Sequence, residues 1–154
     1  MNILLVEDDE NKRRQLATFI ENNYSNAELK LAKSLQSGLR IVKAKTRTLI
    51  LLDMTIPNYD PDSEESGGQT HNFGGRDFLR QLDRFDIKVP VIVVTQFETF
   101  GRSPAVLSLN DLDQQLVSEH SENYKGVVYY HAAISDWSSK LKQLIDKSVP
   151  TQTN

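Results

Sequence analysis

The sequence predicts an α/β fold in which a parallel sheet is covered by helices on both faces. One observation is a set of short, continuous apolar runs, Ile3-Leu4-Leu5-Val6, Leu49-Ile50-Leu51-Leu52 and Val91-Ile92-Val93-Val94, whose composition suits strands buried on both sides. A second is that stretches with helical spacing of apolar residues alternate with these runs along the chain. A third is that each run ends on polar side chains, Glu7-Asp8, Asp53 and Thr95, and open α/β sheets place their sites beyond the carboxyl ends of their strands.

The elements follow in order. After the strand at 3–6, Asp9 is an N-cap for a helix from Glu10 to Asn22, where Leu16, Phe19 and Ile20 recur at helical spacing. Ala27 to Ala32 alternates Leu29 and Leu31 as a second strand. Ser34 then caps a helix whose apolar stripe is Leu35, Leu39, Ile41 and Val42. A third strand spans 48–53, and Gly75 to Phe85 reads as a third helix carrying Phe78, Leu79 and Leu82. Val89 to Thr95 is the fourth strand, Asn110 to His120 the fourth helix, Gly126 to His131 the fifth strand and Ile134 to Lys147 the fifth helix. Trp137, Leu141, Leu144 and Ile145 form the stripe of that last helix, which is first of all core. Alternation of this kind implies right-handed crossovers in one sheet.

With 154 residues, 38% hydrophobic and 25% charged, the chain fits one globular domain. A net charge of −3 lacks the basic field that binding to a phosphate backbone requires, so no direct nucleic-acid partner is expected. There is no cysteine, no apolar run of membrane-spanning length and no basic-then-apolar leader at Met1-Asn2-Ile3, which leads to the expectation of a cytoplasmic protein without a membrane partner.

Leu4-Leu5-Val6-Glu7-Asp8-Asp9, Asp53-Met54-Thr55-Ile56-Pro57 and Pro90-Val91-Ile92-Val93-Val94-Thr95, in this order and spacing, resemble the receiver domain of two-component response regulators. The resemblance covers nearly the whole chain. It implies a flavodoxin-like doubly wound (βα)5 domain over 1–148, strand order 2-1-3-4-5, with an insertion at 58–74 and a short tail at 149–154. It also implies that Asp53 accepts a phosphoryl group as an acyl phosphate, within a phosphorelay fed by a sensor histidine kinase or phosphotransfer protein. Mg²⁺ is the implied cofactor, relieving the repulsion of clustered carboxylates and neutralising phosphoryl oxygens. Its implied ligands are Asp8, Asp53, the Thr55 backbone carbonyl and, through water, Glu7. Arg13 falls where the family's first helix carries a basic residue, which favours Glu7 and Asp8 for the pocket and leaves Asp9 as the cap. The resemblance further implies that the Thr95 hydroxyl bonds the phosphoryl group and switches toward it. The only enzymatic acts expected are self-phosphorylation from small phosphodonors and autodephosphorylation.

The chain departs from the family at the end of the fifth strand. Aligning Gly126-Val127-Val128-Tyr129-Tyr130-His131 puts Tyr130 where receivers carry a lysine and His131 where they carry a proline. A tyrosine hydroxyl can bond a phosphoryl oxygen but brings no positive charge. Lys125 lies at the strand's far end, while His131 is a second candidate cation. Val127 matches the usual switch aromatic, and Gln96 replaces a small residue after the threonine. The insertion, with Asp60, Asp62, Glu64, Glu65 and His71, reads as a surface loop, with a partner-docking or lid role as its sharper reading; its acids have no recognised metal-ligand spacing. Phe97 and Phe100 precede the fourth helix, to pack on its base or against a partner.

Each polar cluster has a plainer explanation. Glu7-Asp8-Asp9 alone could simply complement the positive end of a helix, and Thr95 could simply end a strand. Asp53 tips the reading toward a site, because a second acid at a neighbouring strand end has no capping role. Two functions stay open: a phospho-accepting receiver that signals by protein contact, with a homodimer through the helix four, strand five and helix five face as one form of output, and a pseudo-receiver that binds partners without phosphorylation. With seven residues, Ser148 to Asn154, after the fifth helix, no separate output domain is expected.

Overall fold

The computed structural model describes residues 1–60, 74–101 and 104–149. The chain order is β1 (Asn2–Val6), α1 (Glu10–Asn23), β2 (Glu28–Ala32), α2 (Leu35–Ala44), β3 (Leu49–Leu52), α3 (Gly74–Arg84), β4 (Val91–Thr95), β5 (Thr99–Phe100), β6 (Leu107–Ser108), α4 (Leu109–Glu119), β7 (Tyr124–Tyr129) and α5 (Asp136–Ser148). β2, β1, β3, β4 and β7 form one sheet in that order with every neighbouring pair parallel. The expected 2-1-3-4-5 arrangement is therefore present, β7 being the fifth strand of the main sheet.

The alternation of side chains along each strand divides the core in two. Leu4, Val6, Ile50, Leu52, Val91 and Val93 face α2, α3 and α4, whereas Ile3, Leu5, Leu49, Leu51, Ile92 and Val94 face α1 and α5. Both faces of β1, β3 and β4 are thus sealed by helices. The anticipated stripes of α1 (Leu16, Phe19, Ile20) and α3 (Phe78, Leu79, Leu82) are buried; of the α5 stripe, Leu141 and Ile145 are buried while Trp137 and Leu144 are half-buried. β2 and β7 are the two edges, and Leu31 of β2 is exposed.

The differences from the sequence reading lie at element ends. The last strand of the sheet begins at Tyr124 rather than Gly126, because Lys125 bulges out of the ladder: Val91 pairs with Tyr124 and Ile92 with Gly126. Gly126 takes φ 149° there, a backbone state that favours glycine. Helix α5 starts at Asp136, not Ile134, since 131–134 close a turn through a His131–Ile134 bridge that leaves Ile134 exposed. The stretch expected as a loop before α4 contains a small antiparallel pair, β5 with β6. Phe100 is buried in the core while Phe97 stays exposed.

The insertion begins against α2. Pro57 and Asn58 carbonyls accept the Leu35 and Gln36 N–H groups. Asp60 accepts from the Ser34 and Ser37 hydroxyls at 2.7 and 2.8 Å, extending the capping box of that helix. The acids and histidine expected further along it, Asp62, Glu64, Glu65 and His71, lie outside the described residues, as do tail residues 150–154.

Candidate functional site

Parallel pairing brings the carboxyl ends of β1, β3 and β4 side by side, so the polar residues that follow them share one edge. Glu7 N–H donates to Ala32 O and Asp53 N–H to Val6 O, which continues the ladder one residue past each strand and fixes both backbones. Glu7 and Asp53 are 2% and 4% exposed, and Asp8 is half-buried. These three acids each present a ligand atom, and the atoms all lie within 4.8 Å of one another. Asp9 takes the capping role instead, accepting the Lys12 N–H at 2.8 Å while its own N–H donates to Glu7 Oε2 at 3.0 Å. Arg13 Nη1 donates to the Glu7 and Asp8 carbonyls at 3.1 and 3.3 Å, tying the turn to the helix it enters.

The Thr55 hydroxyl donates to Asp53 Oδ2 at 3.3 Å, so this residue touches the central carboxylate with its side chain. Thr95 is fully buried at the end of β4; its Oγ1 accepts the Phe97 N–H at 3.1 Å, and its carbonyl accepts from Tyr130 N–H at 2.7 Å. Tyr130, expected where a lysine would stand, is buried, with its hydroxyl donating to Gln15 Oε1 at 2.6 Å. Its bonded partner is on α1 rather than among the acids. Burial raises that hydroxyl's pKa. His131 is exposed, and its Nδ1 accepts the Ala133 N–H, which corrects its candidacy as the pocket's cation. Gln96 is exposed, and Val127 is buried in the core.

The cation of this edge is a residue that the strand-end alignment overlooks. Lys12 is 1% exposed, and its ammonium lies 2.6 Å from Glu7 Oε1 and 3.3 Å from Asp53 Oδ1 while donating to the Val94 carbonyl at 2.7 Å. Tyr130's ring centroid is 5.9 Å away. A signal for it existed in the sequence: Lys12 precedes Leu16 by four residues, on the stripe that buries Leu16, Phe19 and Ile20. A lysine on a core-facing position in a helix's first turn, at the end of the dipole that disfavours cations, needs carboxylates within reach.

Two carboxylates facing one ammonium in a dry pocket leave an excess negative charge. Burial pushes the Glu7 pKa up to about 8, with Asp53 adding to the rise and Lys12 opposing it. The donor set is one of hard oxygens, the Glu7, Asp8 and Asp53 carboxylates. That chemistry fits Mg²⁺ or a similar hard dication.

Comparison with known proteins agrees with this geometry. Residues 3–110 match the family model described as the response regulator receiver domain. The match ends at the start of α4, so β7, Tyr130 and α5 lie outside it. Over 92% of the chain and 95% of each relative, the sequence is 37% identical to an uncharacterized protein, y4jR, of Sinorhizobium fredii and 30% identical to the Detocs response regulatory protein DtcB of Enterobacter cloacae. Among solved structures, the receiver domain of a putative LuxO repressor from Vibrio parahaemolyticus superposes with a TM-score of 0.64 at 18% identity, covering 96% of this chain and 88% of that one. The Mn²⁺-bound form of response regulator Rcp1 gives a TM-score of 0.64 at 17% identity, covering 99% and 96%. Among the described residues, no helix is long and apolar enough to cross a membrane.

Proposed function

Because the chain belongs to the response regulator receiver domain family, we propose that it accepts a phosphoryl group on Asp53 and passes that state on by contact with another protein. What carries the reading is the placement of a buried aspartate at the end of β3 with its carboxylate among those of Glu7 and Asp8. A carboxylate in that position can attack phosphorus in line, and removal from bulk water strengthens every charge that stabilises the transferring group. Mg²⁺ is the cofactor of this reading, held by Asp8, Asp53, the Thr55 carbonyl and, through water, Glu7; when bound it supplies neutralisation of phosphoryl charge. Thr95 contributes its hydroxyl from the end of β4: Oγ1 accepts the Phe97 N–H, and its O–H proton is the donor to a phosphoryl oxygen.

The phosphodonor is a sensor histidine kinase or a phosphotransfer protein, and the setting is the cytoplasm. That a relative carries the name of a response regulatory protein supports a role in regulating a response. Output passes to a protein partner, a second copy of the chain at the α4, β7 and α5 face being one such partner. Tyr130 on Gln15, with Val127 where an aromatic switch is usual, favours a second reading, a partner-binding module that works without phosphorylation.

Incubation with acetyl phosphate, followed by intact mass and Trp137 fluorescence with and without Mg²⁺, separates the two. The phosphoacceptor reading expects a Mg²⁺-dependent gain of one phosphoryl group that Asp53→Asn abolishes while keeping the fold. No gain, with beryllofluoride also inert, selects the phosphorylation-independent module. Labelling that persists in Asp53→Asn would remove Asp53 from the role.

A further inference from the structure

We propose that Lys12, delivered by α1, is the cation that pairs with the phosphoryl group on Asp53, the task the family gives to a lysine at the end of its fifth strand; this rests on Asp53 being the phosphoacceptor. The family's lysine position holds Tyr130, yet an ammonium is at the central carboxylate, 3.3 Å from Asp53 Oδ1. It reaches that place from the opposite direction, and the chain is built to hold it there. The Val94 carbonyl, one residue before Thr95, accepts from it at 2.7 Å, and Glu7 lies 2.6 Å away. A side chain 1% exposed with three oxygen partners is an oriented charge rather than a mobile one.

Tyr130 then has a different task from the lysine it replaces. Its ring lies 5.9 Å from the Lys12 ammonium, and its hydroxyl is fixed to Gln15, three residues after Lys12 on the same helix. The ring also packs against Trp137 of α5, the two ring centroids 5.2 Å apart. The tyrosine walls the pocket behind Lys12 and links α1 to α5. A change at the ammonium is thereby felt at Trp137 through one intervening ring.

In the transfer step, an Asp53 carboxylate oxygen forms the new bond to phosphorus. The bond from phosphorus to the donor breaks, and its electron pair leaves with the donor. Lys12 exchanges no proton. It acts as a fixed positive charge, exchanging part of its contact with Glu7 for a phosphoryl oxygen while Val94 O retains it.

The test measures beryllofluoride affinity through Trp137 fluorescence, and acetyl phosphate labelling by intact mass, at saturating Mg²⁺. The chains compared are the unaltered protein, Lys12→Met, Lys12→Gln and the double variant Lys12→Met/Tyr130→Lys. Lys12→Gln keeps polar contact with the buried oxygens, so it supplies a folded variant if Lys12→Met does not fold; circular dichroism verifies this. Expected is a loss of about 10- to 100-fold in beryllofluoride affinity and labelling rate on removing the charge, the ratio that one charge-assisted hydrogen bond carries. The double variant, with an ammonium restored from the strand side, recovers most of it. Folded Lys12 variants that bind beryllofluoride and label as the unaltered protein does would overturn the inference, leaving Lys12 as a neutraliser of buried acids. If the unaltered protein neither labels nor responds to beryllofluoride, the phosphoacceptor reading itself fails, and this assignment with it.

Discussion

Gly75→Ala probes how the backbone that carries Asp53 is positioned. A methyl group added at Gly75 would lie 2.6 Å from Met54 Cα, 2.9 Å from Asp53 O and 3.0 Å from Met54 O. Ordinary contact begins at 3.4 Å, so the shortest of these requires a separation of 0.8 Å. All three obstacles are main-chain atoms of the turn leaving β3, and Gly75 N–H is itself bonded to Met54 O at 3.0 Å. No side-chain rotation relieves the clash; either α3 or the Asp53–Thr55 turn must shift. Overpacking of this kind costs about 1–3 kcal/mol, and any gain in helix propensity, at most about 1 kcal/mol, is reduced because Gly75 lies in the first turn. Gly38→Ala is the matched control. It also meets a close atom, Phe78 Cε2 at 2.8 Å, but that atom and the Val6 methyls belong to side chains that can yield, and Gly38 is inside α2. Urea denaturation should show Gly75→Ala less stable by about 1–3 kcal/mol and Gly38→Ala within about 1 kcal/mol of the parent. If Asp53 is the phosphoacceptor, Gly75→Ala should also slow acetyl phosphate labelling by about 100-fold, as expected when a reacting group is displaced by about 1 Å. A Gly75→Ala protein with parental stability would refute the reasoning that this glycine fixes the turn.

Other consequences follow from single contacts. Glu7 has a raised pKa, about 8 against the ordinary 4.5, so in metal-free protein its contribution to stability is complete below the ordinary value and is lost as pH rises through about 8. In EDTA, the parent should therefore lose stability relative to Glu7→Gln as pH rises from about 4.5 to about 8 and level off above that, read from urea midpoints; parallel curves would contradict the assignment. Buried Asn123 accepts the Val89 N–H at 3.1 Å and donates to Ile87 O at 2.9 Å, so Asn123→Ala orphans the loop entering β4 and should cost about 1–3 kcal/mol in the same measurement. Tyr24 ties the end of α1 to α5 through Asp146 at 2.7 Å, and that hydrogen bond is the main cause of the carboxylate's lowered pKa. Tyr24→Phe should lower the thermal midpoint by an amount worth under about 1 kcal/mol at neutral pH, because the carboxylate is largely in solvent, and the difference should shrink as acid protonates Asp146.

Which parts of the molecule could be read from the chain follows from the range of the forces involved. β1, β3 and β4 were legible because strands sealed on both faces must be apolar at every position. The acids beyond them were legible because strand direction alone carries those residues to one edge. Asp9 and Ser34 announced their helices by local capping chemistry. The bulge at Lys125, the late start of α5 and the β5–β6 pair were not legible, since each depends on register or packing against another element rather than on its own residues.

The sequence by itself determined the sheet, the order of its elements and the presence of Glu7, Asp8 and Asp53 at its carboxyl edge. The tertiary structure decided where the positive charge comes from. Alignment along the fifth strand of the sheet finds only Tyr130, because position within a strand says nothing about what a helix packed on that sheet can reach. Lys12 and Asp53 are 41 residues apart, and the register of α1 across β1 and β4 brings the ammonium onto the carboxylate. The physical reason is burial: once closed from water, paired acids require a counter-charge, and the element that supplies it is set by packing.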